Sequence, residues 1–418
     1  MSDAIRNTFG GISHRRFTPL VDPLTHWFEL LGQSKESQQR TVSEFEEALS
    51  KLLGMRHVIA VHSARAGLVL TLRSMGLKPG TQVLLPINTY EGLLPALVNA
   101  GYEPFFVDIN SDFNMSPEAL SCTLESLAAP GVIVATHLYG QPADVPALAK
   151  IAERCGVPIV EDCAHTLAVK AEWGMTGSYG RAGIFSLQAR KLVNGLSGGA
   201  VATNDDELAA KLRQAVEPSQ ESFWRAGMRL VAFHAEQGLF SRPVLYPFIR
   251  RLYAAEAARH EAHLLYQRYA RLARGQQTGL SALSAALAKA QLNVLSMRYR
   301  RLDEKWKAYD LAVSASNELV PAPRFHDAEH GFYMYVLRSP NAADTARELW
   351  RHGVGSLHGP AFMPPLAKNL DAYPMMRSLL PTVVQLPFSS AMSDDDFARV
   401  AKVLSDLASK TRNRHEPA

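Results

Sequence analysis

The stretch 131-GVIVATHLYGQPADVPALAKIAERCGVPIVEDCAH-165 decides the fold. An apolar run, a helix-length segment and a second apolar run read as strand, helix, strand, and neither run shows the polar alternation of a half-exposed strand. The second run ends in Glu161, Asp162, Cys163 and His165, none of which a core strand wants. A site at the strand's carboxyl end explains them.

Working outward, the same alternation continues. A helical pattern "SEFEEALSKLLG" from residue 43 ends at Gly54, and "HVIAV" (57–61), "QVLLP" (82–86), "EPFFVDI" (103–109), "GVIVATHLYG" (131–140) and "VPIVED" (157–162) read as strands. Helix-length segments separate them, the pattern of a parallel sheet covered by helices on both faces. In such sheets ligands bind outside the carboxyl ends of the strands, which places Asp162 and His165 at the site edge.

The later half changes character. Residues 205–300 are largely helical in pattern, with an aromatic and arginine-bearing stretch from 222 to 253. Beyond it, "GFYMYVLRS" (331–339) reads as a strand, "NAADTARELWRHG" as a helix, and the last segment as a strand followed by a helix. The expected organisation is an N-terminal segment (1–42), a large α/β domain (43–300) with a helical insertion at about 216–270, and a small α+β domain (301–418).

Composition excludes several classes. With 418 residues, 47% hydrophobic and 20% charged, the chain is an ordinary globular protein, and its 44 basic residues nearly match 40 acidic ones, so nothing marks a nucleic-acid binder. The three cysteines follow no C-x-x-C spacing, which argues against a disulfide framework or a zinc site and for a reducing, cytosolic location. The N-terminus lacks a signal-peptide core, and no uninterrupted apolar stretch of about 18 residues appears.

Five features carry chemistry. "HSARAGL" (62–68) turns the first strand into a helix whose N-terminal N–H groups and dipole favour a phosphate, with Arg65 adding charge, although the same residues make an ordinary strand-to-helix turn. Lys191, between "AGIFSL" and a glycine-rich turn, is able to bond an aldehyde cofactor through its amine, and equally reads as a solvated loop lysine. Ser186 precedes it, Tyr90 follows the second strand, and Asp162 ends a later one. Together they meet the four needs of pyridoxal 5'-phosphate: a held phosphate, a stacked ring, a carboxylate beside its nitrogen and a lysine at its aldehyde.

"SEFEEALSKLLGMRHVIAVHSARAGLVLTL", "KPGTQVLLPINTY", "THLYGQPADVPALAKIAERCGVPIVEDCAH", "GIFSLQARKLVNGLSGGAVATND" and "SALSAALAKAQL" resemble, in order and spacing, the DegT/StrS family of sugar aminotransferases. The resemblance implies the fold of type I pyridoxal-phosphate enzymes, with a mainly parallel seven-stranded sheet between helices. It implies that Lys191 is the attachment lysine, Asp162 the partner of the ring nitrogen, His165 the neighbour of the 3-hydroxyl and Tyr90 the stacking aromatic. Ser63, Ala64, Arg65 and Ser186 correspond to phosphate contacts, and Gln277 to an Asn that reaches the neighbouring subunit's cofactor. A homodimer with shared sites, an amino donor such as L-glutamate and a keto-sugar acceptor, nucleotide-activated, follow from the same likeness. A non-sugar ketone or a weakly catalytic binding role are the alternatives.

The chain departs from the family pattern. Ser63-Ala64-Arg65 stands where Ser-Gly-Thr is usual, Arg181 and Ser197 replace acids, and Gly279 stands at an Arg position. The 222–253 stretch reads either as a lid or membrane-facing patch or, preferred here, as an insertion packed on the dimer partner, since aromatic helical stripes are usually core. Glu161 is expected on the opposite face from Asp162 in a structural role, and Cys163 is a small buried residue. His137 is placed at a strand end facing the site. His234, His326, His330 and His358 read as surface or packed side chains, without metal-ligand spacing.

Overall fold

The apolar runs form the strands β1 (His57–Val61), β2 (Gln82–Pro86), β3 (Glu103–Val107), β4 (Pro130–Thr136), β5 (Ile159–Asp162), β8 (Ala182–Ser186) and β9 (Gly199–Thr203), with β6 (Lys170–Ala171) and β7 (Gly174–Met175) as a separate hairpin. The computed structural model describes residues 12, 18–127, 130–219, 221–241, 279–324, 329–359, 365–367 and 369–412. The seven main strands make one sheet in the order β1-β9-β8-β5-β4-β2-β3. Only β9 runs against its neighbours.

Alternation along these strands buries both faces. Val83 and Leu85 enter one core with Val132, Val134, Val160 and Ile184, while Leu84, Ile133 and Ala135 enter another beneath the opposite helices. Ser63, Ser116, Asp144 and Asp205 each accept the N–H three residues on, fixing where the covering helices start. All the parallel strands therefore deliver their carboxyl ends to one edge.

The small domain holds β10 (Val320–Pro321), β11 (Tyr335–Arg338), β12 (Leu357–His358) and β13 (Val383–Leu386), an antiparallel sheet in the order β10-β11-β13-β12. Its core gathers Trp306, Tyr309, Tyr335, Phe388 and Phe397. The helix Leu295–Val313 belongs to both halves, with Leu295 in the large-domain core and Leu302, Trp306, Tyr309 and Val313 in the small-domain core. Residue 300 thus lies inside an element.

Several boundaries differ from expectation. The helix expected from 43 begins at Lys35, where the Ser34 hydroxyl caps the Ser37 N–H. β4 stops at Thr136, because Tyr139 adopts a left-handed conformation (φ 56°) that no strand accepts. β11 begins at Tyr335 rather than at 331, for a related reason at Phe332 (φ 47°).

The first part of the insertion is the helix Phe223–Ser241. Ala226 and Leu230 pack on Leu30, Leu283 and Leu287, and Trp27 stacks on Phe223 at 4.8 Å while its Nε1–H donates to the Phe223 carbonyl. The other side leaves Trp224, Met228 and Val231 at 73%, 64% and 68% exposure, so within one chain this stripe is only half core. Residues 242–278, including Gln277, lie outside the described residues, as does His326.

Candidate active site

Of the expected residues, His165, Ser186 and Lys191 line one cleft, while Ser63, Ala64, Arg65, Tyr90 and Asp162 lie outside its lining, at the ends of strands of the same sheet or in the turns that follow them. β5 and β8 run parallel with Asp162 beside Ile184, so Asp162 and Ser186 leave the sheet on the same side. β9 starts at Gly199 opposite both Val61 and Ser186, and Ser63 bridges to Gly198. The phosphate-type turn after β1 and Ser186 therefore flank one glycine pair. A Cβ on Gly199 would lie 2.5 Å from the Ala64 nitrogen, which is why glycine is needed there.

The loop that carries Lys191 is tied down on all sides. Buried Asn194 accepts the Leu196 N–H through Oδ1, donates its side-chain amide to the Thr18 carbonyl and its backbone N–H to Gln291 Oε1, while Arg298 donates to the Leu192 carbonyl. Leu196 is left-handed at φ 67°, a strained turn into Ser197 and the glycine pair. A cleft then opens between the domains, lined by His165, Ser186, Arg190 and Lys191 from the large domain and by Phe332, Tyr333, Met334, Phe388 and Ser389 from the small one.

Asp162 is buried, and its Oδ1 accepts the Ala164 N–H at 3.0 Å. Burial pushes its pKa up, opposed by the Ala164 hydrogen bond and the Lys191 charge. His165 is also buried; burial, then the Lys191 charge, hold its pKa well below the usual histidine range, so it is neutral. Its Nδ1 has no hydrogen-bond partner. A buried carboxyl short of a cation, a neutral imidazole with an orphaned nitrogen and a glycine cradle under a helix N-terminus together fit pyridoxal 5'-phosphate.

Tyr90 follows β2, with the Arg65 guanidinium 5.9 Å from its ring centroid, which joins the expected stacking residue to the phosphate turn. Tyr333, absent from the expected set, stacks on His165 with centroids 3.7 Å apart and lies 4.2 Å from Lys191 Nζ. In sequence it is one aromatic among several in a strand-like run.

The expectation for His137 is corrected. It lies fully buried on the far side of β5, where its Nδ1 accepts the Ala143 N–H and its Nε2–H donates to Glu161 at 3.0 Å. Glu161 also accepts the N–H groups of Gly177, Tyr179 and Gly180, each at 2.8 Å. Burial works to raise the Glu161 pKa, but the bonds from His137, Gly180 and Gly177 outweigh it and hold the group below the carboxylate range. With the Cys163 thiol these groups lie within 4.8 Å of one another, yet the imidazole and carboxylate are engaged with N–H donors, so the cluster is structural.

The family profile described as the DegT/DnrJ/EryC1/StrS aminotransferase family matches residues 27–405. The chain belongs to that family, whose members are pyridoxal-phosphate-dependent aminotransferases of fold type I. Among solved structures, it is similar to DesI determined with its TDP-sugar product (25% identity, TM-score 0.68, 98% of each chain covered). It is also similar to a DegT DnrJ EryC1 StrS aminotransferase from Brucella abortus (22% identity, TM-score 0.71, 92% of this chain and 95% of that one). Helicobacter pylori PseC, an aminotransferase involved in the biosynthesis of pseudoaminic acid, shares 17% identity at TM-score 0.71, with 96% of this chain and 100% of that one covered.

Proposed function

We propose that the enzyme moves an amino group from L-glutamate to a nucleotide-linked keto-sugar, with Lys191, Asp162 and His165 as its catalytic residues. The observation that carries this reading is the convergence of Lys191 and neutral His165 on one cleft, with buried Asp162 behind it and near enough for the Lys191 charge to act on its carboxyl. Arg190 on the same cleft offers a cation suited to the acceptor's phosphates. The reading also draws on the likeness to DesI with its TDP-sugar product.

Pyridoxal 5'-phosphate, when bound, supplies the aldehyde that takes up the amino group and a ring that withdraws electrons. Asp162 holds the proton on the ring nitrogen through a carboxylate–cation pair, which offsets the cost of its burial. Lys191 Nζ takes the proton from the donor's α-carbon and returns one on the other side of the transfer. His165 orients the ring through its free nitrogen. Ser63, Ala64, Arg65 and Ser186 hold the phosphate, and Tyr90 covers one face of the ring. The active form is taken as a homodimer with shared sites, with Gln277 reaching the neighbouring cofactor, as the resemblance implies.

A second reading keeps the transfer but changes the acceptor. The cleft wall includes Leu167, Val193, Phe332, Met334 and Phe388, an apolar lining that suits a less polar ketone. Incubating the holoenzyme with L-glutamate and a panel of nucleotide-linked keto-sugars and simple ketones separates the two. Formation of 2-oxoglutarate with a keto-sugar alone supports the first, and formation with simple ketones alone overturns it. Lys191→Ala is expected to abolish turnover on either acceptor, and borohydride reduction should fix the cofactor to Lys191 in the wild type.

A further inference from the structure

Between Gly331 and Tyr335 the small domain reaches into the site by a route that leaves little freedom. The Gly331 N–H donates to the Gly140 carbonyl at 2.7 Å, and a Cβ on Gly331 would sit 2.1 Å from the His165 carbonyl oxygen. Only glycine passes there. Phe332 then turns left-handed, its N–H held by His330 Nδ1 at 2.8 Å and its ring packed against Trp306 and His330. A bulky residue in that conformation is strained, and its surroundings enforce it. The outcome is Tyr333, half-buried, with its ring 11° from parallel to the His165 imidazole and one face toward Lys191 Nζ.

We propose that Tyr333 is a positioning residue of the active site, whose ring clamps the His165 imidazole and the Lys191 amine in register for the cofactor. The proposal rests on Lys191 as the attachment lysine. Both contacts use the face of the ring, one stacked on the imidazole and the other beneath the Lys191 nitrogen, so aromaticity rather than the hydroxyl does the positioning. The small domain thereby helps build a site whose chemical groups all come from the large domain.

The test uses full-length protein stripped of cofactor and mixed with pyridoxal 5'-phosphate, following the visible absorbance and induced circular dichroism of the lysine-bound cofactor. Tyr333→Phe is expected to match the wild type within about twofold in rate and in dichroic amplitude. Tyr333→Leu should bind about tenfold more slowly, as expected when the ring that orients the imidazole and the lysine nitrogen is lost, and show a weakened or inverted dichroic band at an unchanged melting temperature. Tyr333→Met, a second non-aromatic variant, carries the same expectation if Leu disturbs folding. Wild-type rate and dichroism in both non-aromatic variants overturn the positioning role and leave the reading of Lys191 standing. A visible band that persists in Lys191→Ala overturns the reading of Lys191 and the proposal with it.

Discussion

Asp162 works against the stability of the cofactor-free chain. Burial raises its pKa, so the folded state keeps a proton that the unfolded chain has lost, and stability falls as pH rises from the ordinary carboxylate value through the folded one. At neutral pH, Asp162→Asn is therefore expected to raise the melting temperature of the apoprotein and to weaken cofactor retention. An apoprotein less stable than wild type would contradict this. Asp162 and His165 stand out in the sequence as polar groups at and just after the end of an apolar run, whereas Lys191, in a polar loop, is singled out by the family resemblance. Tyr333 was not legible there, since its place depends on the left-handed Phe332 and on the Gly331 backbone meeting His165. Nor was the partnership of His137 with Glu161, which arises only when β4 and β5 are paired.

The helix Phe223–Ser241 shows how one element can tie a site loop to an ion pair of its own. Arg229 reaches from this helix to Ser197 and Ser281 and pairs with Glu221 at 2.6 Å. Glu221 is 17% exposed, so removing its partner leaves a largely buried carboxylate. Arg229→Ala is expected to cost about 1–3 kcal/mol and to speed amide exchange across residues 223–235; unchanged exchange would show that the helix is held by Leu230 and Phe223 packing alone. The strand runs could be read directly, because buried strands need unbroken apolar residues. Their ends could not, because Tyr139 and Phe332 stop them by dihedral angle rather than by residue type.

At the scale of the whole molecule, two buried neutral histidines make the stability depend on pH, His165 stacked on Tyr333 and His330 packed on Trp306. Burial, then the Arg324 charge, push the His330 pKa down to about 3, and burial, then the Lys191 charge, lower that of His165. Both stay neutral in the fold and take up protons on unfolding, so their contribution is complete above about pH 6.5 and is lost as pH falls below it, at about 1.4 kcal/mol per pH unit for each. His330→Gln, which keeps an acceptor for the Phe332 N–H, should flatten the stability profile between about pH 6 and 4; an unchanged slope would contradict it. Of the described residues, no helix is long and apolar enough to cross a membrane. The most direct test of the proposed chemistry is the absorbance spectrum of the reconstituted protein before and after excess L-glutamate. Loss of the lysine-bound aldehyde band with gain of the amine-form band is the predicted result, and a band that persists unchanged would contradict glutamate as the donor to this site.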